Sequence, residues 1–299
     1  MPELPDIVVY IEHLDRLLKG QTLRKIRISS PFVLRSWDPP LETAENRGVV
    51  SLRRMGKRIV FCLEDDIFVL IHLMVAGRLR WRPPGAEIPG KVGLAAFDFP
   101  AGTLLVTEAG TKKRASLHLA RGEPALRKLD PGGLEVLEAD LESFSRALHS
   151  ETHTLKRALS DPRIFSGIGN AFSDEILHAA RLSPLRRTDQ MGAEETQRLF
   201  EAVRGTLSHW TDHLRQEAGS KFPERVTAFR KEMKTHGRYR QPCADCGTPI
   251  QRIVYAENET NYCPVCQTGG RILSDRALSR LLKADWPRTV EELEDLYRK

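Results

Sequence analysis

Short β-rich runs from about residue 22 to 119, helical periodicity from about 134 to 218, and two later C-x2-C pairs predict a multi-domain α+β protein. The pairs are Cys243–Cys246 and Cys263–Cys266, separated by 16 residues. Each pair sets two thiolates on one tight turn, and four thiolates close a tetrahedral sphere, the pattern of one structural Zn2+. The expected architecture is therefore an N-terminal β-sandwich with a leading helix, then a helical domain, then a four-cysteine zinc ribbon. The expected boundaries are 1–120, 134–222 and 238–267, with a helical extension over 268–299.

The leading helix is expected over residues 6–19, where Ile7, Ile11, Leu14, Leu17 and Leu18 fall mostly on one face and Gly20 ends the run. Strands are expected at 23–28, 58–63, 67–71, 95–99 and 103–106, among others. Pro83-Pro84-Gly85 and Ile88-Pro89-Gly90 mark a loop between strands. Residues 121–133 are polar and rich in Gly and Pro, and read as an interdomain linker. Beyond them Leu155, Leu159, Ile164, Phe172, Ile176, Leu177, Leu199, Val203 and Leu207 supply helical apolar faces. Residues 219–240 hold seven Lys or Arg against two Glu, a run that suits either a solvated loop or helix face or a phosphate-facing segment. The ribbon between the cysteine pairs, 248–262, should be a β-hairpin, with Gly247 closing the first turn. Zinc ribbons bind DNA, protein or nothing. The tail carries Leu278, Leu281, Leu282 and Trp286-Pro287 at helical spacing, with no role assigned.

Composition narrows the function classes. Hydrophobic residues at 40% and charged residues at 29% of 299 describe an ordinary globular chain. No run of about 18 apolar residues exists, so no membrane span is expected. The start has no basic region followed by an apolar one, so no secretory signal is expected. A net charge of +6 and a pI near 9.1 suit a polyanionic partner. Four of the five cysteines in metal spacing imply a reducing, cytoplasmic setting, and Cys62, in an apolar run, is expected in the core.

The first residues, Met1-Pro2-Glu3-Leu4-Pro5-Asp6, carry candidate chemistry. Removal of the initiator methionine before a small residue leaves Pro2 as a secondary amine. A free α-amine titrates near ~7.7–8.0, so much of it is unprotonated at neutral pH. Such an amine can attack a sugar C1′ and form an iminium, with Glu3 as a proton shuttle. Met-Pro starts are common and by themselves mark nothing. A second candidate is the stretch 167–177, where Gly167 and Gly169 expose backbone N–H groups ahead of a helix, a seat for a phosphate oxygen. Asn170 stands at that helix start, able to cap it or to bond a phosphate.

Taken together, the Pro2-Glu3-Leu4-Pro5 start, the 167–177 stretch, the segment 238–246 and the four-cysteine ribbon resemble the formamidopyrimidine-DNA glycosylase and endonuclease VIII family, and Leu4 favours the former branch. The resemblance covers about residues 1–267. It implies Pro2 as nucleophile, Glu3 as general acid/base, a helix–two-turns–helix element gripping DNA, and phosphate contacts from Lys57 and Asn170. Lys57 on its own would read as a solvated strand end. The DNA-binding set is completed by Gly167, Gly169, Met74, Lys113 and Arg114. The implied activity is that of a bifunctional DNA glycosylase and AP lyase in base excision repair. It would excise an oxidised base through a Pro2 Schiff base and nick the strand by β,δ-elimination. The partner is damaged DNA, duplex or abasic-site containing. The chain is expected to act as a monomer in a bacterial-type cytoplasm, associated with the nucleoid when on DNA.

This chain departs from the family pattern at several points. Asp6 stands where the family usually has Glu. In His72-Leu73-Met74-Val75-Ala76-Gly77 the wedge methionine falls in register on Val75, with Met74 one place early, a shift that would reverse its face on a strand. The Arg-Arg-Phe-Gly loop corresponds to Lys112-Lys113-Arg114-Ala115, without the aromatic. The phosphate-clamping arginine of the zinc hairpin falls on Asn258, with Arg252 and Arg271 nearby in sequence. These changes suit substrates already unstacked, and they keep open a rival reading: a binder of DNA lesions or abasic sites with reduced or no base excision. A tautomerase with an N-terminal proline is a third reading, in which the zinc ribbon and basic helical domain have no use.

Overall fold

The computed structural model describes residues 1–255, 258–274 and 287–298. The chain divides into two compact units, 1–132 with 209–228, and 133–208 with 229–299.

In the first unit, helix α1 (Leu4–Leu18) begins three residues into the chain. Pro5 in its first turn has no N–H to leave unsatisfied, and Leu4, Ile7, Tyr10, Leu14 and Leu18 are fully buried. Strands β1 (Thr22–Leu23), β3 (Arg47–Met55), β4 (Arg58–Leu63), β5 (Ile67–His72) and β9 (Ser116–Arg121) form one antiparallel sheet in the order β1-β3-β4-β5-β9. The second sheet runs β2-β7-β8-β6, from Lys25–Ile28, Gly93–Phe99, Gly102–Glu108 and Gly77–Arg82. One core joins residues of both sheets and α1, including Phe61, Val69, Phe97, Leu104, Val106 and Leu117. Phe61 and Phe97, from opposite sheets, stack with centroids 5.8 Å apart. The β-sandwich with a leading helix is thus observed.

Two local expectations need correction. The segment 121–133 is not a plain linker. It contains helix α2 (Glu123–Arg127), whose Leu126 is fully buried in a second cluster with Met55, Val60, Phe68, Leu70 and Ala120. Cys62 is not a core residue. It is half-buried beside that second cluster, because β4 alternates and Cys62 faces away from the main core.

Residues 209–228 also belong to this unit. Phe222 packs on Tyr10 and His13 of α1, with centroids 5.8 and 6.4 Å away, and Val226 joins the main core. Arg82 holds Glu224 through two hydrogen bonds, and Arg215 holds Glu12.

The second unit contains α3 (Leu141–Leu148), α4 (Leu155–Ser160), α5 (Asn170–Ala179) and the first part of α6 (Ala193–Ala218). Asp140 and Thr154 cap α3 and α4 by accepting N–H bonds from Ser143 and Arg157. Phe144 stacks against Phe165 at 4.8 Å and Phe200 at 5.3 Å. Strands β10 (Gln251–Tyr255) and β11 (Asn258–Tyr262) pair as the expected antiparallel hairpin, followed by α7 (Pro264–Thr268). Beyond it, Arg271 bridges to Thr289 and leads to α8 (Val290–Arg298). Leu278, Leu281, Leu282 and Trp286 lie outside the described residues. No described helix is long and apolar enough to cross a membrane.

Candidate active site and nucleic-acid interface

At the start of α1 the backbone is locked by a reciprocal cap. Glu3 N–H donates to Asp6 Oδ2 at 2.9 Å, and the Glu3 side chain accepts the Asp6 N–H. This explains what Asp6 can do at a position where a longer acid is expected: it closes the box from the third helical residue. Pro2 is buried, and Glu3 and Asp6 are 2% and 5% exposed. Burial lowers the pKa of the Met1 α-amino group, the Glu3 charge opposes that, and Arg78 and Lys57 add to it.

Lys57 sits with Gly56 in the two-residue turn of the β3–β4 hairpin, where Met55 pairs with Arg58 and Gly56 takes a φ of +60°. Burial lowers the Lys57 pKa, while the nearby Glu3 carboxylate raises it. Lys57 is therefore electrostatically joined to the Pro2–Glu3 end of the chain.

His72 is a residue the sequence reading passed over. It ends β5, opposite Arg58 and Ser116, and its Nε2 is buried without a hydrogen-bond partner among the described residues. Burial, followed by the charges of Arg58 and Lys57, lowers its pKa to about 4. The ring is therefore neutral at pH 7, with that nitrogen closed to solvent. Its signal in the sequence was only its place before the Leu73–Gly77 segment.

That segment is a tight turn, not a strand. Gly77 N–H donates to Leu73 O at 2.9 Å, and a side chain at Gly77 would meet that oxygen at 2.2 Å. Met74 has a φ of +50° and is half-buried, while Val75 at the tip is 52% exposed. The expected face reversal of Met74 fails, because strand alternation does not operate in a turn. The loop after β8 is tied by the buried Glu108, whose carboxylate accepts the Arg114 and Ala115 N–H groups at 2.8 and 3.0 Å. Lys113 donates to the Glu108 carbonyl, Arg114 is exposed, and Ala115 is buried within the sandwich core.

In the second unit, Gly167 has a φ of +84°, open to glycine, and Gly169 caps α5. Asn170 is the first residue of that helix. Its Nδ2 donates to Glu259 O on β11 at 2.9 Å, leaving a second amide proton and the carbonyl for another partner. Asp174 accepts from Lys156 Nζ at 2.5 Å and His236 Nδ1 at 2.7 Å. The basic run 219–240 is a loop, one of its expected solvated forms, and Glu175 holds its later part by accepting the N–H groups of Lys234, Thr235 and His236. Lys231, Lys234 and Arg240 remain exposed along it.

The Sγ atoms of Cys243, Cys246, Cys263 and Cys266 all lie within 4.8 Å of one another. Tetrahedral zinc with Zn–S near ~2.3 Å requires S···S separations of roughly 3.8 Å. The Cys243–Cys266 and Cys246–Cys263 separations, 3.9 and 3.4 Å, fit that ion. Gly247, at a φ of +77°, donates to Cys243 O and closes the first turn as expected. The four-thiolate set leaves no ligand position for a reacting water, so the zinc is structural. Arg252 is committed within the hairpin: it pairs with Glu259 at 3.0 Å and lies over the Tyr239 ring at 4.3 Å. Asn258, at the hairpin end, is exposed.

Comparison with known proteins agrees with this arrangement. The profile of the formamidopyrimidine-DNA glycosylase N-terminal domain matches residues 1–120, that of the formamidopyrimidine-DNA glycosylase H2TH domain matches 133–215, and that of a zinc finger found in FPG and IleRS matches 240–269. The formamidopyrimidine-DNA glycosylase of Heliobacterium modesticaldum is 31% identical over 280 residues, covering 89% of this chain and 100% of that protein. The MutM (Fpg) crystal structure from Thermus thermophilus is 29% identical, with a TM-score of 0.73, covering 89% of this chain and 98% of that one. The Lactococcus lactis Fpg, solved with abasic-site DNA, shares the fold at a TM-score of 0.79 and 23% identity, over 89% and 99% of the two chains.

Proposed function

The chain belongs to the formamidopyrimidine-DNA glycosylase family, and from that premise we propose that it is a bifunctional DNA repair glycosylase and AP lyase using Pro2 as nucleophile. The carrying observation is the buried Pro2–Glu3 start of α1, fixed by its capping box and electrostatically coupled to Lys57. Once Met1 is removed, the Pro2 nitrogen attacks C1′ of a flipped nucleotide, the bond from C1′ to the base breaks, and the departing base takes up the proton that the Pro2 nitrogen sheds. Glu3 delivers a proton to the ring oxygen as the sugar opens, leaving a C1′–Pro2 iminium. Loss of a C2′ proton then expels the 3′-phosphate, and δ-elimination expels the 5′-phosphate. The cap holds the amine and the carboxyl in place, so neither is ordered at each turnover.

Lys57, Asn170, Gly167, Gly169, Met74, Lys113 and Arg114 are the proposed DNA contacts. Residues 1–120 are the proposed catalytic domain, 134–222 and 238–267 the DNA-gripping domains. Cys243, Cys246, Cys263 and Cys266 hold the zinc, which fixes the ribbon. The substrate is damaged DNA in the cytoplasm. Extrusion of a base costs a few kcal/mol, least where it is already unstacked. With Ala115 in the core and Asn258 at the hairpin end, abasic, mismatched or single-stranded sites are the favoured substrates.

Borohydride added during reaction with abasic-site DNA tests the proposal. A covalent adduct mapping to the N-terminal peptide, with Met1 absent, is expected, and a blocked N-terminus abolishes it. Equal trapping with the terminus blocked would make a lysine the nucleophile. Tight binding to abasic DNA without any adduct would favour the lesion-binder reading, which Ala115 and Asn258 support.

A further inference from the structure

Helix α5 buries polar as well as apolar residues, and Asn170, Asp174 and His178 recur along it at intervals of four. That spacing sets them one above another on a single face. Each meets the zinc ribbon. Asn170 Nδ2 donates to Glu259 O at 2.9 Å, Asp174 Oδ2 accepts the Asn261 N–H at 3.2 Å, and His178 Nε2 lies 3.3 Å from Cys243 Sγ. His178 is 1% exposed and Cys243 is 3% exposed, so water does not compete for this last contact.

The chemistry sets the direction of the bond. A zinc-bound cysteine is a thiolate and can only accept, so the proton must sit on Nε2. A space-filling histidine needs no such alignment with a metal ligand.

We infer that His178 is a positioning residue: its Nε2–H donates to the Cys243 thiolate, and with Asn170 and Asp174 it sets the zinc ribbon against the helix that begins with Asn170. The inference rests on the four-cysteine zinc site. Groups that support metal ligands through hydrogen bonds typically change affinity by about 10–100-fold when removed. The bond also withdraws electron density from the sulfur, which raises the energy of thiolate-to-metal charge transfer.

The test uses the full-length zinc protein and its cobalt-substituted form. His178→Leu keeps apolar volume without a donor, and His178→Gln returns an N–H near the Nε2 position. Zinc transfer to a chromogenic chelator should be at least tenfold faster in the Leu variant, and the cobalt–thiolate charge-transfer band should move to longer wavelength. Both changes should reverse in the Gln variant. Equal release rates and equal bands in wild type and the Leu variant, with one zinc bound in each, would overturn the His178 bond alone. Faster release with an unmoved band, unrescued by Gln, would reduce His178 to packing and also overturn it. A wild-type protein without zinc would instead remove the metal site.

Discussion

Glu175 is the anchor of the basic loop, and Glu175→Gln isolates its contribution. The carboxylate is 6% exposed; Oε1 accepts the N–H groups of Thr235 and His236 at 2.8 and 2.9 Å, and Oε2 accepts that of Lys234 at 2.8 Å. Glutamine fits the space but has one acceptor oxygen. With that oxygen at the Oε1 position, its NH2 group faces the Lys234 N–H, which loses its acceptor at a cost of about 1–3 kcal/mol. The two surviving bonds fall from the ionic to the neutral range, about 1 kcal/mol each. The loop is thus weakened by roughly 3–5 kcal/mol against local opening, or on the order of 10²–10⁴ in its opening constant. Hydrogen exchange at the Lys234, Thr235 and His236 amides reads this directly. Rates should rise by about 10² or more at those three positions and stay unchanged in the β-sandwich. Exchange unchanged at all three would show that the carboxylate does not hold the loop, and the account of the basic segment would fail.

Cys263→Ser should release the zinc and unfold residues 240–269 while the β-sandwich keeps its melting transition, since structural zinc supplies roughly 10–16 kcal/mol of apparent binding energy; a metal-free variant with an ordered hairpin would contradict this. Lys57→Ala should lower the salt slope of log K for DNA by about 0.9 with little change in sequence preference, and an unchanged slope takes Lys57 off the interface. His72 has a folded pKa lowered to about 4, so its contribution is full above the unfolded value near ~6.5 and is lost as pH falls from there towards 4. The loss approaches about 3 kcal/mol, and His72→Gln should flatten that part of the stability–pH curve measured by urea melts. Asn258→Arg should raise incision of fully paired lesion DNA by restoring a charge-assisted phosphate contact worth about 1.5–3 kcal/mol; no gain in rate would show that the hairpin end is not limiting.

Local rules made much of this protein legible before any coordinates. The zinc clip followed from spacing alone, because two cysteines on one tight turn must point at a common ion whatever surrounds them. Helix α1 and most strands followed from apolar period, and the singular chemistry of an N-terminal secondary amine is what proposes the Pro2–Glu3 start as the site. What tertiary packing decided lies where distant segments meet. Residues 209–228 return to α1, where Phe222 covers Tyr10 and His13, a choice that helical periodicity does not encode. The basic run is a tethered loop only because Glu175, about 60 residues earlier, faces it. His72 and His178 are ordinary histidines in the sequence. Burial beside Lys57 and Arg58 makes the first a neutral ring, and a helix face laid on the ribbon brings the second to a zinc thiolate. Backbone geometry and ligand spacing act within a few residues and so can be read along the chain. Desolvation and charge coupling depend on which surfaces close over a side chain, and only the folded protein sets that.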